Sequence, residues 1–205
     1  FLQENPNEVD LLFKELLIGV TNFFRDPEAF KTLQEEALPA LLRNKGKNST
    51  VRVWIPGCST GEEAYSVAIA IAECVEQLKL TGLVKTQIFA TDLDKDAVDR
   101  ARQGIYLPTI ETDVSPERLH RFFVKDDHGY RVSKPIREML VFAPQNLIMD
   151  PPFTKLDLLC CRNLLIYFTA ELQRKLLPLF HYTLTPGGVL FLGSSETIGG
   201  FQDLF

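Results

Sequence analysis

Long apolar runs, basic clusters and metal-type histidine spacing are all missing from this 205-residue chain. No apolar stretch approaches the ~20 residues of a membrane-spanning helix, which argues against insertion in a bilayer. Basic residues never run beyond a few in a row and the net charge is −5. A nucleic-acid partner is disfavoured, because phosphate backbones call for a positive footprint. The three histidines, His120, His128 and His181, are too scattered to outline a metal centre. Cys58, Cys74, Cys160 and Cys161 show no C-x-x-C spacing, and adjacent cysteines rarely bridge, so they read as reduced thiols in a cytoplasmic protein. There is no signal peptide: the opening "FLQENPNEVD" is acidic and reads as the interior of something longer. Internal repeats, low-complexity tracts and any Ser/His/Asp constellation are also lacking. What is present is 45% hydrophobic residues, enough for one sizeable core.

Periodicity then sets the organisation. Val9, Leu12, Phe13, Leu16 and Val20 recur at helical spacing and predict an amphipathic first helix. Asp26-Pro27 reads as an N-cap followed by proline at the first helical position, opening a second helix through Phe30, Leu33, Ala37 and Leu41, kinked or broken at Pro39. From there apolar strands and helices alternate. "TVRVWI", "TQIFATD", "EMLVFAPQNL", "KLDLLCC" and "VLFLGSSE" read as strands. "GEEAYSVAIAIAECVEQL" reads as a helix with Val67, Ile71, Val75 and Leu78 on one face. "KDAVDRARQ" is a helix capped by Asp94 and ended by Gly104, and "AELQRKLLPLFHYTL" one capped by Thr169. Between Ser115 and Leu140 the alternation breaks into a short helix and a hairpin around Asp127-His128-Gly129. The expected fold is α/β, a parallel sheet flanked by helices, with a small antiparallel β-subdomain inserted at about 115–140.

In such sheets ligands bind beyond the carboxyl ends of the strands, near the point where strand order reverses. The residues to weigh are therefore Gly57 to Glu63, Asp92, Asn146 and Arg162-Asn163. "WIPGCSTGEEAYS" runs a strand through a glycine turn into a helix, as nucleotide sites do. Two observations count against NAD. The turn does not match G-x-G-x-x-G, and Asp92 follows Gly57 by 35 residues rather than the ~20 of the dinucleotide fingerprint. S-adenosylmethionine suits the stretch better. Its ribose hydroxyls want an acid such as Asp92, its carboxylate wants helix N-terminal N–H groups, and its ammonium wants a carboxylate such as Glu62. Of Glu62 and Glu63, one is assigned to the ligand and the other to the dipole of the helix start.

The segments "TNFFRDPEAF", "GCSTGEEAYS", "ATDLDKDAVDRARQGIY", "CRNLLIYF" and "LTPGGVLFLGSSE" together resemble the CheR family of chemotaxis-receptor glutamate O-methyltransferases, in order and over nearly the whole chain. The resemblance implies a Rossmann-like class I methyltransferase fold that uses S-adenosyl-L-methionine and releases S-adenosylhomocysteine. It implies methylation of glutamate carboxylates in the cytoplasmic region of methyl-accepting chemotaxis-type receptors. The wording "DPPFTKLDLLCCRNLLIY" is more like methyltransferase domains of larger hybrid proteins that also carry methylesterase and sensor modules.

Carried over residue by residue, Thr21 and Arg25 face cofactor and acceptor. Glu62 meets the methionine end, with Gly57 in the same turn; Asp92 holds the ribose and Asn146-Leu147 lie by the adenine. Arg162, Asn163 and Tyr167 line the transfer site, with Arg25 and Tyr167 as the catalytic pair. Gly19 stands where relatives often have asparagine. Residues 1–45 would be the remnant of a helical N-terminal domain and 46–205 the methyltransferase domain, ending short of the fold's last strand pair. The inserted hairpin would either dock an acceptor segment or cover the sheet edge. A non-catalytic module that binds S-adenosylmethionine, and a methyltransferase acting on nucleic acids or small molecules, remain as alternatives at this point.

Overall fold

The computed structural model describes residues 21–205, His128 excepted. The amphipathic helix expected around Val9–Val20, and Gly19, lie outside the described residues. The chain first forms α1 (Pro27–Thr32), a π-helical turn (Leu33–Ala37) and α2 (Leu38–Arg43) in unbroken succession. Pro39 accounts for the π turn. Proline has no N–H to donate within a regular helix, and just before it the Leu38 N–H reaches back five residues to the Leu33 carbonyl. The helix thus widens instead of breaking.

Five parallel strands form the main sheet: β1 (Ser49–Pro56), β2 (Val84–Asp92), β6 (Leu140–Pro144), β7 (Leu156–Cys161) and β8 (Leu184–Leu192), in the order β6-β2-β1-β7-β8. The connecting helices include α3 (Glu62–Gln77), α4 (Lys95–Gln103) and α7 (Ala170–Thr183). Alternation along β1 explains its two-sided burial. Val51, Val53 and Ile55 enter one core, with α1, α2 and α3, whereas Trp54 enters a second core with Phe180 and Leu176 of α7. Each such fully buried aliphatic side chain contributes about 1.5–3 kcal/mol. The α3 helix is buried nearly all round from Ala64 to Ile71, wider than the single expected face. "TPGG" is the bulge of β8: pairing passes from Leu156↔Leu184 to Leu158↔Val189, and Gly187 takes φ +76°.

A three-stranded antiparallel sheet forms separately from the main one. Its hairpin is β4 (Phe123–Asp126) and β5 (Gly129–Val132), preceded by α5 (Pro116–Phe122) and followed by the short α6 (Lys134–Arg137). The third strand is β3 (Ile105–Tyr106), drawn from before the expected insertion. Phe23 packs on Tyr106 and Phe123, at ring distances of 4.9 and 5.5 Å, and so ties this sheet to the N-terminal segment.

Candidate functional site

Strand order reverses between β1 and β7, and register brings Pro56, Thr91 and Asp92, and Cys161 to the same edge. A cleft of about 390 Å³ opens there. The turn after β1 needs left-handed backbone at Gly57 (φ +69°), Ser59 (φ +47°) and Gly61 (φ +96°). Gly57 also lets two loops meet, since a Cβ there would lie 3.0 Å from Leu164 Cδ2. The Cys58 N–H donates to the Thr91 carbonyl (2.9 Å) and the Tyr106 hydroxyl to the Thr60 carbonyl (2.7 Å), pinning the turn from both sides.

The two glutamates that follow part company. Glu62 accepts from the Thr60 hydroxyl at 2.7 and 2.9 Å and does not line the cleft. Glu63 does line it and pairs with Arg162 at 2.9 Å. Burial raises the Glu63 carboxyl to about 7, with Arg162 pulling in the opposite direction. The sequence assigned one glutamate to the ligand and took Glu62; the geometry puts Glu63 on the cleft wall, one residue further round the helix.

Asp92 ends β2 on the cleft wall. Its carboxylate accepts from the Ser59 N–H (2.7 Å) and the Asp94 N–H (2.9 Å), and so orients itself against the glycine turn. Burial nonetheless raises its pKa, offset by those backbone donors. As expected, Asp94 caps α4, accepting from the N–H groups of Asp96 and Ala97. Beyond β6, Asn146 accepts from the N–H groups of Ile148 (3.0 Å) and Met149 (3.2 Å) and donates its own N–H to Asp150 (2.7 Å). This Asx-type turn holds Asn146, Leu147 and Ile148 in the lining. The Asp150-Pro151-Pro152-Phe153 stretch precedes β7, and Phe153 stacks on Phe89 with ring centroids 4.2 Å apart, a packing role.

Arg25 arrives from the N-terminal segment. Its neighbours Phe24 (φ +50°) and Asp26 (φ +61°) are both left-handed, a conformation unfavourable by about 1–2 kcal/mol per non-glycine residue. Surrounding contacts hold it. The Phe24 N–H donates to Ser66 Oγ at 2.9 Å, and the Arg118 guanidinium lies 4.1 Å above the Phe24 ring. The reversals send Phe23 and Phe24 into the core while Arg25 and Thr21 line the cleft. Asp26 does precede Pro27, but its side chain makes no cap; the backbone conformation turns it to Arg162, 2.7 Å away.

Arg162 reaches the cleft from the end of β7 with its guanidinium enclosed. It donates to Glu63, to Asp26 and to the Arg25 carbonyl (3.0 Å), and it lies over the rings of Phe30 and Phe191. Its role is thus to brace the N-terminal segment against α3. Next to it, Asn163 is left-handed (φ +56°), and its side-chain Oδ1 is buried without a partner. Tyr167 closes a 3-10 turn (Leu165–Tyr167) and stands half exposed on the lining. Every expected site residue except Glu62 therefore lines one cleft. The sequence reading missed Glu196. Its carboxylate accepts four backbone N–H groups: Asn163 (2.9 Å), Leu164 (2.9 Å), Leu165 (2.7 Å) and Gly193 (2.7 Å). Only its presence in "GSSE", just past an apolar strand, could have flagged it.

The described residues contain no group of three or more metal-ligating side chains and no helix long and apolar enough to cross a membrane. A profile described as "CheR methyltransferase, SAM binding domain" matches residues 19–205. Chemotaxis protein methyltransferase 1 of Pseudomonas aeruginosa is 40% identical over 198 residues, covering 95% of this chain and 72% of that protein. An uncharacterized 104.1 kDa protein of Rhodobacter capsulatus is 42% identical over 204 residues, covering 100% of this chain and 21% of that protein. Among solved structures, a DhpI–SAH complex is 13% identical with a TM-score of 0.48, covering 94% of this chain and 65% of that one.

Proposed function

The chain belongs to the CheR methyltransferase family, and we propose that it transfers the methyl group of S-adenosylmethionine to glutamate carboxylates of methyl-accepting chemotaxis receptors in the cytoplasm. The name of the Pseudomonas aeruginosa relative supports the chemotaxis setting. This chain spans about a fifth of the Rhodobacter capsulatus relative, which supports a place within a larger hybrid protein. Within the chain, residues 46–205 would serve as the methyltransferase domain, and the described residues before it form the N-terminal helical segment. Residues 21–43 supply Thr21 and Arg25 to the cleft and pack on its core, which ties the two together.

The observation that carries the reading is the convergence of Arg25 and Tyr167, 142 positions apart in the sequence, on the cleft that Asp92 also lines. The cleft fits S-adenosylmethionine in its donor set. Asp92 offers an acid for ribose hydroxyls, Leu147 and Ile148 offer apolar surface for a base, and the unpartnered Asn163 Oδ1 can accept from a ligand. Asp92, Asn146 and Leu147 would hold the nucleoside. Thr21, the Gly57 backbone, Glu63 and Asn163 would hold the methionine end, with Arg162 keeping Glu63 in place.

When bound, S-adenosylmethionine supplies an electrophilic methyl group on a sulfonium. The acceptor glutamate, with an ordinary pKa near ~4.3, is ionised at neutral pH, so no residue has to remove a proton. What the chain's own residues contribute is orientation and exclusion of water. Such positioning is worth roughly 7–11 kcal/mol where it is complete. Arg25 holds one carboxylate oxygen and leaves the other to attack, while the Tyr167 hydroxyl aligns the acceptor at the cleft mouth.

Labelled methyl transfer from S-adenosylmethionine to a receptor cytoplasmic fragment tests the reading. Arg25→Ala and Tyr167→Phe should each lower kcat by about 10–100-fold while changing S-adenosylhomocysteine affinity far less. Normal turnover in Arg25→Ala would remove it from the catalytic role.

A further inference from the structure

The proposed mechanism leaves Glu196 unused, although its carboxylate is committed to four N–H groups from two separate loops. Oε1 takes the Leu164 and Leu165 donors, and Oε2 takes those of Asn163 and Gly193. These loops follow β7 and β8, neighbouring strands paired at Cys161↔Leu192. The first loop passes at Asn163 through the left-handed region and ends in the turn that carries Tyr167. Three consecutive N–H groups pointing at one carboxylate define the path of that loop. Without an acceptor they would be left unsatisfied in a partly buried place, at about 1–3 kcal/mol each. The fit on the other side is equally close, since a Cβ on Gly193 would stand 2.8 Å from Glu196 Oε2 and 3.1 Å from the Asn163 nitrogen.

We propose that Glu196 is a positioning residue for methyl transfer: by gathering the N–H groups of Asn163, Leu164, Leu165 and Gly193, it fixes the turn that aims Asn163 and Tyr167 into the cleft. It touches neither donor nor acceptor and acts through the backbone of the residues that do. A carboxylate is required because every partner is a donor. The glutamine side chain has nearly the same shape but would set its own NH₂ against two N–H groups. The consequence for chemistry follows from scale, because a displacement of the reacting groups by about 1 Å can lower a rate by about 100-fold.

The inference rests on the methyltransferase reading above, and its test separates the two. The full chain, Glu196→Gln, Tyr167→Phe and the double variant are compared in three measurements: labelled methyl transfer, S-adenosylhomocysteine binding by calorimetry, and amide hydrogen exchange. In Glu196→Gln, exchange should rise at residues 163–165 and 193 while the strands stay protected. Its kcat should fall by about 10–100-fold, at least tenfold more than its affinity for S-adenosylhomocysteine. The double variant should lose less than the product of the two single losses, because Glu196 acts in part through the Tyr167 hydroxyl that the second change removes. Unaltered exchange, wild-type kcat, or losses that multiply in the double variant would overturn the proposal. Should Glu196→Gln unfold, Gly193→Ala perturbs the same carboxylate from the opposite side and is held to the same outcomes. If the unmodified chain binds S-adenosylhomocysteine but methylates no carboxylate, the functional reading fails; exchange in Glu196→Gln still decides whether the carboxylate holds the turn.

Discussion

Glu63 and Arg162 form an enclosed ion pair on the wall of the cleft, with Oε2 2.9 Å from Nη1. It joins the first turn of α3 to the loop after β7, and through Asp26 and the Arg25 carbonyl it reaches the segment that delivers Arg25. A charge pair removed from water gains little net stability by itself, because desolvation offsets the attraction. Its worth here lies in geometry: one guanidinium sets three segments relative to one another.

The pair should give stability a pH dependence. Burial lifts the Glu63 carboxyl from 4.5 to about 7, so the folded state binds the proton more tightly than the unfolded one. The stability this contributes is fully present below pH 4.5 and is lost as pH rises through about 7. Relative to Glu63→Gln, which cannot titrate, the unmodified chain should lose up to about 1.4 kcal/mol per pH unit across that window. Denaturant melts at several pH values give the difference; parallel curves would mean that the carboxyl is not shifted.

Removing the cation should be more damaging than removing the pair. Arg162→Met takes the shared donor from Glu63, Asp26 and the Arg25 carbonyl and, at a pH where Glu63 is ionised, should lower stability by about 3–5 kcal/mol. Combining it with Glu63→Gln should restore part of the loss. Urea melts of the two single variants and the double variant measure the coupling, and additive losses would contradict the pairing.

Asp92→Ala should weaken S-adenosylhomocysteine binding by about 1.5–3 kcal/mol, the scale of a hydrogen-bonded charged group. The substitution also frees the N–H groups of Ser59 and Asp94, so loosening of the glycine turn adds to the loss. Calorimetry reads the affinity directly, and an unchanged value would exclude Asp92 from the ligand.

Gly129→Ala should disrupt the small sheet. Gly129 has φ +142°, and a Cβ there would lie 2.1 Å from the Tyr106 carbonyl oxygen, a backbone atom that cannot move alone. A loss of at least about 1 kcal/mol is expected. Because the Tyr106 hydroxyl holds the Thr60 carbonyl, S-adenosylhomocysteine affinity should fall with it. Limited proteolysis of the hairpin and calorimetry together check both effects.

Much of this molecule was legible without coordinates, for local reasons. Apolar runs in "TVRVWI" and "KLDLLCC" demanded buried strands, and their alternation with helices left a parallel sheet as the only economical packing. Asp94, Ser115 and Thr169 cap their helices because a short oxygen side chain one residue before a helix can reach its free N–H groups. The post-strand rule then led to Asp92, Asn146 and Asn163, since the sheet's carboxyl edge follows from strand direction alone.

Tertiary structure decided whatever depended on rotation, handedness or a distant partner. Sequence adjacency could not say which of Glu62 and Glu63 faces the cleft, because neighbouring helical positions differ by about 100° and the phase is set by how α3 packs. Asp26 has the sequence of a capping residue, yet its left-handed backbone hands its carboxylate to Arg162, 136 positions away. Ile105–Tyr106 joined the small sheet because Gly129 lets its backbone come close, a contact no periodicity records. Glu196 is the clearest instance. A carboxylate near the end of a strand carries no mark of its own; four N–H groups from two loops give it a role, and only the pairing of β7 with β8 brings those loops together.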